Sequence, residues 1–352
     1  MRADAKPRCH LHRTVPTRRT RRRLRCRGPM ELPLHRCATE DLRSQRRAGQ
    51  PGGDPMSNSP QVTNATPAVN NPIDAFRDAH GLFTMVAVDQ RGSLRHMLST
   101  GRAQPVVDDA ELISFKAAVI DAISGTASGV LLDRDFGRSA AERSHCPVIL
   151  AADTLTASEP GGPMDIAAID DEVTADVVEQ FGAKALKFLL PWHPARRSQA
   201  VDLAHAFMAR CRELGLPGVL EGVVRPREDD TVSREGFAEA LVTAAIDLSQ
   251  ADPDLYKTEV VYTGHDDRDL ATAAASAITE TLSCPWVVLS SGVSGKDFPA
   301  AASAAVDGGA SGFLAGRAVW SEATKAADPF TYLHAHAAQN LQAITDRVRA
   351  TA

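Results

Sequence analysis

The stretch GVLEGVVRPREDDTVSREGFAEALVTAAIDLSQADPDLYKTEVV, residues 218–261, decides the fold. It begins with a short apolar run (218–224), continues with an alanine-rich amphipathic segment (234–251) and ends with a second short run (254–261). Short apolar runs separated by a helical segment are typical of parallel strands joined by a crossover helix. The stretch therefore predicts one strand–helix–strand unit of a parallel sheet.

The same alternation continues on both sides of this unit from residue 80 onward. The predicted strands are Thr84–Asp89, Gly129–Asp133, Pro147–Asp153, Ala185–Pro191, Gly218–Val224, Asp254–Val261, Trp286–Ser291 and Gly312–Ala315. Further helices are predicted at 108–124, 196–215 and 297–310. Residues 154–183 predict a loop followed by a helix over Asp170–Phe181.

Eight strands that alternate with helices favour an α/β fold, a closed (β/α)8 or TIM barrel. A doubly wound open sheet is the alternative, and it favours a glycine-rich turn after the first strand. The first strand here is followed by QRGSLR, which offers only Gly92. The barrel is therefore the predicted architecture.

Charge separates a basic leader from an acidic body. Residues 1–55 contain 15 Lys and Arg against five acids, whereas the rest of the chain carries a formal net charge of −15. No apolar run follows the arginines of the leader, so it does not resemble a secretory signal. It could be a disordered tail, an organellar presequence, or upstream sequence translated ahead of a start at Met56. We expect residues 1–75 to be a disordered leader and residues 76–352 a single catalytic barrel.

Composition also limits the partners of the chain. An acidic body repels nucleic acid, and no apolar stretch reaches the 18 residues that a membrane span needs. The six cysteines are widely spaced, which indicates neither a disulfide framework nor a zinc site. We therefore expect a cytoplasmic protein with no nucleic-acid or membrane partner.

Lysine is scarce, since the chain has seven lysines and 32 arginines. Lys187, Glu221 and Lys257 nevertheless lie on three consecutive predicted strands, and adjacent strands are only about 4.8 Å apart. An amine can deprotonate and a guanidinium cannot, while burial and a second ammonium both lower a lysine pKa. These residues predict a Schiff-base site in which the carboxylate moves protons. A purely structural cluster of buried ion pairs is the alternative reading.

Other polar residues follow strands at the same end of the predicted barrel. Candidate substrate-binding residues after the first two strands are Asp89, Gln90, Arg91 and Asp133, although Asp133 could instead cap a helix. Candidate phosphate-binding residues after the last two strands are Ser291, Gly292, Gly316 and Arg317. The histidines do not group into a metal site, so we expect neither a metal nor another cofactor.

Six motifs carry a family resemblance: MVAVDQRGSLR, ALKFLLPW, VLEGVVRP, DLYKTEV, PWVVLSSGV and GASGFLAGRAVW. Together they resemble class I aldolases of the deoxyribose-phosphate and tagatose-bisphosphate aldolase superfamily, and within it most closely the sulfofructosephosphate aldolases. The resemblance implies a metal-free barrel that cleaves 6-deoxy-6-sulfofructose 1-phosphate to dihydroxyacetone phosphate and 3-sulfolactaldehyde.

The resemblance also implies roles for individual residues. By position Lys257 matches the Schiff-base lysine, Glu221 the proton-transferring glutamate and Lys187 the supporting lysine. Asp89 and Glu221 are both candidates for the base that acts at the C4 hydroxyl. Tagatose 1,6-bisphosphate and fructose 1,6-bisphosphate are alternative substrates, and a non-catalytic sugar-phosphate-binding barrel is the alternative from another class. Barrels of this kind commonly assemble, so we expect a homo-oligomer.

Overall fold

Eight parallel strands close into a barrel in a computed structural model of the protein, which confirms the predicted (β/α)8 architecture. The structure describes residues 71–100, 106–158, 164–225, 233–261, 268–290 and 293–352. The barrel strands are β1 (Phe83–Ala87), β2 (Val130–Leu132), β3 (Val148–Ala151), β6 (Ala183–Trp192), β7 (Gly218–Val224), β8 (Leu255–Glu259), β9 (Trp286–Leu289) and β10 (Gly312–Ala315). They follow one another around the barrel in chain order, and β10 pairs with β1 to close it.

Helices follow the strands, as in other barrels of this class. They are α1 (Gly92–Ser99), α2 (Asp109–Ile123), α3 (Arg138–Arg143), α4 (Ala175–Phe181), α5 (Arg197–Leu214), α6 (Arg234–Ser249), α7 (Arg268–Thr281), α8 (Phe298–Asp307), α9 (Arg317–Trp320) and α10 (Pro329–Arg349). Short 3-10 helices span Pro72–Phe76, Pro194–Arg196 and Ser321–Lys325. Within the described ranges no helix is long and apolar enough to cross a bilayer.

The barrel interior is apolar at its lower end. The inward side chains that form this layer include Phe83, Met85, Leu131, Ile149, Ala185, Val219, Leu255, Val287 and Leu314. Ile73 and Phe76 of the first 3-10 helix belong to the same buried cluster. Packed structure therefore begins ahead of the boundary predicted at residue 76. On β6, β7 and β8 the inward residues that come two positions after this apolar layer are Lys187, Glu221 and Lys257.

The predicted loop ahead of α4 contains an antiparallel hairpin. Strands β4 (Asp153–Ala157) and β5 (Met164–Ile169) pair with Asp153 opposite Ile169 and Thr156 opposite Ile166. Its side chains alternate between exposed and half-buried, a weak pattern that the neighbouring Gly-Pro cluster obscured in the sequence. The helix that follows begins at Ala175 rather than at Asp170, because the Thr174 hydroxyl caps it by accepting the N–H of Val177.

Gly222 on β7 leaves room for the side chains of Tyr256 on β8 and Leu248 on α6. A methyl group added to it would overlap the hydroxyl of Tyr256 and lie 2.9 Å from Cδ1 of Leu248. We expect Gly222→Ala to lower the free energy of unfolding by about 1–3 kcal/mol, as overpacked cores do. Urea unfolding measures the change. Gly125→Ala is the matched control, because a methyl there meets no atom within 4 Å.

Candidate active site

A cavity of about 370 Å³ opens at the carboxyl ends of the barrel strands. Polar and charged side chains from several barrel strands and their following loops converge on it. Its polar lining comprises Asp89, Gln90, Arg91, Ser93, Asp153, Lys187, Glu221, Arg225, Lys257, Ser290 and Arg317. Leu155 and Met164 of the hairpin line it as well, so β4 and β5 form part of its wall. Strand ends of a barrel are where catalytic side chains ordinarily lie.

Lys187 lies at the centre of the charged groups and is almost fully buried. Its Nζ donates to Oδ2 of Asp89 at 2.9 Å and to Oδ2 of Asp153 at 3.0 Å, and it lies 3.1 Å from Oε2 of Glu221. Burial lowers the pKa of Lys187, but these three carboxylates outweigh it and raise the pKa well above its ordinary value. The expected lowering of a lysine pKa is therefore wrong for Lys187, which stays an ammonium.

Lys257 pairs with Glu221 across β7 and β8, as the strand register requires. Its Nζ donates to Oε2 of Glu221 at 2.9 Å. That single carboxylate oxygen therefore touches both lysines. Burial alone would raise the pKa values of Glu221 and Asp89, but the charges on Lys187 and Lys257 outweigh it and hold both below their usual range. The three side chains predicted to meet thus lie in direct contact.

The segment after β1 borders the same cavity. Asp89 reaches Lys187 from this segment, and the side chains of Gln90 and Arg91 line the cavity beside it. A terminal nitrogen of Arg91 donates to the backbone oxygen of Asp153 at 3.0 Å, while its Nε lies 3.3 Å from Oδ2 of Asp135. These contacts fasten the guanidinium to the start of the hairpin.

The last barrel strand delivers Gly316 and Arg317, and both line the cavity. A methyl group on Gly316 would lie 2.7 Å from the carbonyl oxygen of Ala87, so only glycine fits between β10 and β1 here. The indole N–H of Trp320 donates to that same oxygen at 2.9 Å and secures α9. The other two predicted phosphate-binding residues, Ser291 and Gly292, lie outside the described residues, but their neighbour Ser290 lines the cavity.

Asp133 was predicted to contact substrate, and the structure contradicts that role. It is fully buried and does not line the cavity. One oxygen accepts from Nζ of Lys116, and the other accepts the N–H of Phe136 at 2.9 Å. Burial raises the pKa of Asp133 and lowers the pKa of Lys116. The alternative prediction was that Asp133 caps a helix. Its carboxylate does accept the N–H of a residue three positions later, as a cap does, although α3 begins only at Arg138.

Four polar cavity residues were missed by reasoning from the sequence: Ser93, Asp153, Arg225 and Ser290. Asp153 is the most consequential, because its Oδ2 accepts from Lys187 and from the N–H of Leu189 at 2.9 Å. The signal was present, since Asp153 ends the apolar run PVILAAD as Asp89 ends TMVAVD. Glu259, two residues after Lys257, does not line the cavity, and its Oε2 accepts the N–H of Val224 at 3.0 Å.

The cavity offers amines, carboxylates and guanidinium groups. Among the described residues, no three acidic, histidine or cysteine side chains are grouped as metal ligands would be. Lys187 occupies the space between the three cavity carboxylates, where a cation would otherwise bind. The arrangement can supply an amine, a carboxylate in contact with it and a fixed positive charge.

Comparisons with known proteins agree with this geometry. A family model described as "DeoC/LacD family aldolase" matches residues 83–322. A tagatose 1,6-diphosphate aldolase of Listeria monocytogenes is 26% identical over 277 residues, which cover 71% of this chain and 80% of that protein. Tagatose 1,6-diphosphate aldolase 1 of Enterococcus faecalis is 27% identical over 278 residues, with 71% and 83% covered.

Solved structures share the fold. A fructose-bisphosphate aldolase from Slackia heliotrinireducens superimposes with a TM-score of 0.55 at 17% identity, over 80% of this chain and 89% of that one. An archaeal fructose 1,6-bisphosphate aldolase superimposes with a TM-score of 0.51 at 18% identity, over 78% of this chain and all of that one. At these identities the likeness establishes the barrel alone.

Proposed function

This chain belongs to the DeoC/LacD family of aldolases and is a carbon–carbon lyase, and on that premise we propose that it cleaves a ketose 1-phosphate through a Schiff base on Lys257. The observation that carries the proposal is the buried contact between Nζ of Lys257 and Oε2 of Glu221 at 2.9 Å, inside a cavity large enough for a sugar phosphate. An amine held against a carboxylate has a partner that can take and return its protons.

In the proposed first half-reaction, the neutral amine of Lys257 attacks the C2 carbonyl carbon of the ketose. The carbonyl oxygen takes up a proton to give a carbinolamine, and its hydroxyl then leaves as water to form a protonated imine. Before the attack Lys257 gives one proton to Glu221, which passes it to the carbonyl oxygen as the carbinolamine forms. Glu221 then takes a proton from the carbinolamine nitrogen and delivers it to the hydroxyl, which leaves as water. Lys187 keeps its proton because three carboxylates surround it, so it acts by charge and hydrogen bonding.

In the second half-reaction, the iminium nitrogen accepts the electron pair of the breaking C3–C4 bond. A carboxylate removes the C4 hydroxyl proton as the aldehyde forms, and an enamine stays on Lys257. Protonation at C3 and hydrolysis of the resulting imine release dihydroxyacetone phosphate and free the amine. Asp89 and Glu221 are the two candidates for the C4 base, and both have pKa values that keep them ionised at neutral pH.

Charge around the cavity supports a substrate with an anion at each end. Among the residues that the structure describes, three arginines line it: Arg91 after β1, Arg225 after β7 and Arg317 after β10. Arg317 follows Gly316, where the backbone leaves space for close approach, as at phosphate sites in barrels. We assign Gly316 and Arg317 to the C1 phosphate.

For the substrate we propose 6-deoxy-6-sulfofructose 1-phosphate, which the motif resemblance supports. Tagatose 1,6-bisphosphate and fructose 1,6-bisphosphate are the second candidates, and the names of the relatives favour them. The candidates differ at C6, where a sulfonate carries one charge and a phosphate nearly two. Measuring kcat/KM on all three and identifying the aldehyde product tests the proposal. We expect the sulfo-sugar to be preferred by at least about tenfold, equivalent to about 1.4 kcal/mol. A preference for either bisphosphate would overturn the sulfo-sugar assignment and leave the Schiff-base mechanism in place.

The leader is proposed to be dispensable for catalysis. Among the described residues, the cavity lining runs from Ala87 to Arg317 and the buried core begins at Ile73. A chain that starts at Met56 is therefore expected to keep full kcat/KM, because it retains every one of these residues. Steady-state kinetics on the two chain lengths make the comparison. A loss of more than about tenfold would mean that the leader contributes to the site or to folding.

A further inference from the structure

Lys116 is a lysine that the proposed mechanism does not use. It lies on α2, outside the barrel, yet its side chain is fully buried and reaches inward to the tips of β1 and β2. Its Nζ donates to the carbonyl oxygens of Val88 at 2.6 Å and Gln90 at 2.8 Å, and to a carboxylate oxygen of Asp133. An ammonium has three N–H donors, so all three are engaged.

The two carbonyl groups bound by Lys116 flank Asp89. The backbone on each side of Asp89 is therefore tied to one buried ammonium, and the Asp89 carboxylate projects from between these ties to bond Lys187 at 2.9 Å. The next two side chains, Gln90 and Arg91, line the cavity. From this geometry we propose that Lys116 is a positioning residue that holds the Asp89–Arg91 segment in place for the aldol cleavage. The inference rests on the proposed function of the cavity.

Asp133 completes the arrangement from the neighbouring strand. One carboxylate oxygen is fixed by the N–H of Phe136, and the Asp133 carbonyl accepts the N–H of Gly137 at 3.1 Å. The other carboxylate oxygen then orients Lys116. A continuous set of contacts thus runs from the turn after β2 through Lys116 to the segment after β1, and so to the centre of the cavity.

Lysine suits this position better than other residues would. The three acceptors belong to three different residues and converge on one point, which matches a compact ammonium. The planar fork of arginine directs its donors outward along fixed lines, and methionine has no donor. In a chain that uses 32 arginines and seven lysines, a fully buried lysine is consistent with a requirement that arginine cannot meet.

A purely structural role for the Lys116 and Asp133 pair is the competing explanation, and two variants separate the roles. Lys116→Met removes the ties to both carbonyl groups and leaves buried Asp133 with only the more distant Arg91, whose Nε lies 3.8 Å from its Oδ2, as a counter-charge. The double variant Lys116→Met with Asp133→Asn removes that stranded charge but restores no tie. We expect the double variant to recover most of the lost thermal stability while kcat/KM stays about a hundredfold below wild type, the cost of a misplaced catalytic segment.

A matched control comes from another buried carboxylate. Asp247 accepts from the indole of Trp192 at 2.9 Å and from Arg197 at 2.7 Å, and it does not line the cavity. Asp247→Asn should lower the melting temperature with little change in kcat at 25 °C. Asp89→Asn tests the coupling: adding Lys116→Met to it should lower kcat by much less than Lys116→Met does in the wild-type chain, because the part of the effect that acts through Asp89 is already lost.

Recovery of activity together with stability in the double variant would overturn the proposal. So would additive losses for Lys116→Met and Asp89→Asn, or a loss of kcat in Asp247→Asn equal to that in Lys116→Met. If Lys116→Met alone does not fold, the double variant is compared with Asp133→Asn instead. The two differ only at Lys116, so a lower kcat/KM in the double variant reports the loss of the ties to the two carbonyl groups. Borohydride trapping of the wild-type chain reports separately on the Schiff-base mechanism, so its failure and the failure of the Lys116 proposal are distinguishable.

Discussion

Lys257→Ala is expected to abolish covalent trapping by borohydride and to lower kcat by at least about a thousandfold. In the wild-type chain, borohydride with dihydroxyacetone phosphate should reduce the imine and leave a permanent adduct on Lys257. Alanine has no amine, so neither the imine nor its reduced product can form. Mass spectrometry of the digested protein locates the adduct, and steady-state kinetics give the loss in kcat.

Lys184→Ala is the matched control for that experiment. Lys184 lies on the barrel strand β6 but is exposed and does not line the cavity. The Lys184→Ala variant should therefore be trapped by borohydride like the wild type, with the adduct still on Lys257. An adduct that persists in Lys257→Ala, or that maps to Lys187, would remove Lys257 from the nucleophilic role. The second result would also mean that the ammonium at the centre of the cavity loses its proton during turnover.

Lys187→Met is expected to have the largest effect on stability. The change keeps the length of the side chain but leaves Asp89, Asp153 and Glu221 facing a methyl group in a buried site. Removing one partner of a buried ion pair typically costs about 3–5 kcal/mol, because the remaining charge is uncompensated. We expect a loss of that size in urea unfolding at pH 7, together with loss of measurable aldol cleavage. Lys184→Met, an exposed change on the same strand, should alter stability by less than about 0.5 kcal/mol.

The loss caused by Lys187→Met should depend on pH in a definite direction. In the wild type the folded-state pKa values of Asp89 and Glu221 are lowered, so their contribution is complete above the ordinary carboxyl pKa of about 4. That contribution is lost as pH falls through the lowered values. Without Lys187 both pKa values rise, because the effect of burial is then opposed chiefly by Lys257, and neutral pH becomes less favourable. The stability difference from wild type should therefore shrink from pH 8 to pH 5, and a constant difference would contradict the coupling.

The fold and the central cluster could be predicted because both depend on short-range periodicity. Alternation fixes which side chains of a strand point inward, and the parallel register places Glu221 beside Lys257. Asp153 obeys the same rule and could have been found. The hairpin could not, because its strands are half exposed and carry no strong apolar pattern.

Lys116 and Asp133 show where such reasoning stops. Helical periodicity assigns Lys116 to α2, and nothing in the neighbouring sequence indicates that its ammonium crosses to the tip of β1. Asp133 occupies a strand end, the position from which a substrate contact was predicted, yet it is withdrawn from the cavity by that distant ammonium. A long side chain can form hydrogen bonds with groups on a distant helix or strand, and a prediction made one strand at a time does not consider such contacts.

Barrel closure between β1 and β10 makes enzyme activity a late event in the synthesis of the chain. Lys187, Glu221 and Lys257 leave the ribosome well before Gly312, the residue that pairs with Phe83 to join the two ends of the sheet. The Trp320 indole that fastens this seam to Ala87 comes later still. A nascent chain, or a fragment that ends before β10, therefore carries Lys257 without a closed pocket around it. The closed cavity is therefore complete only when translation is nearly finished.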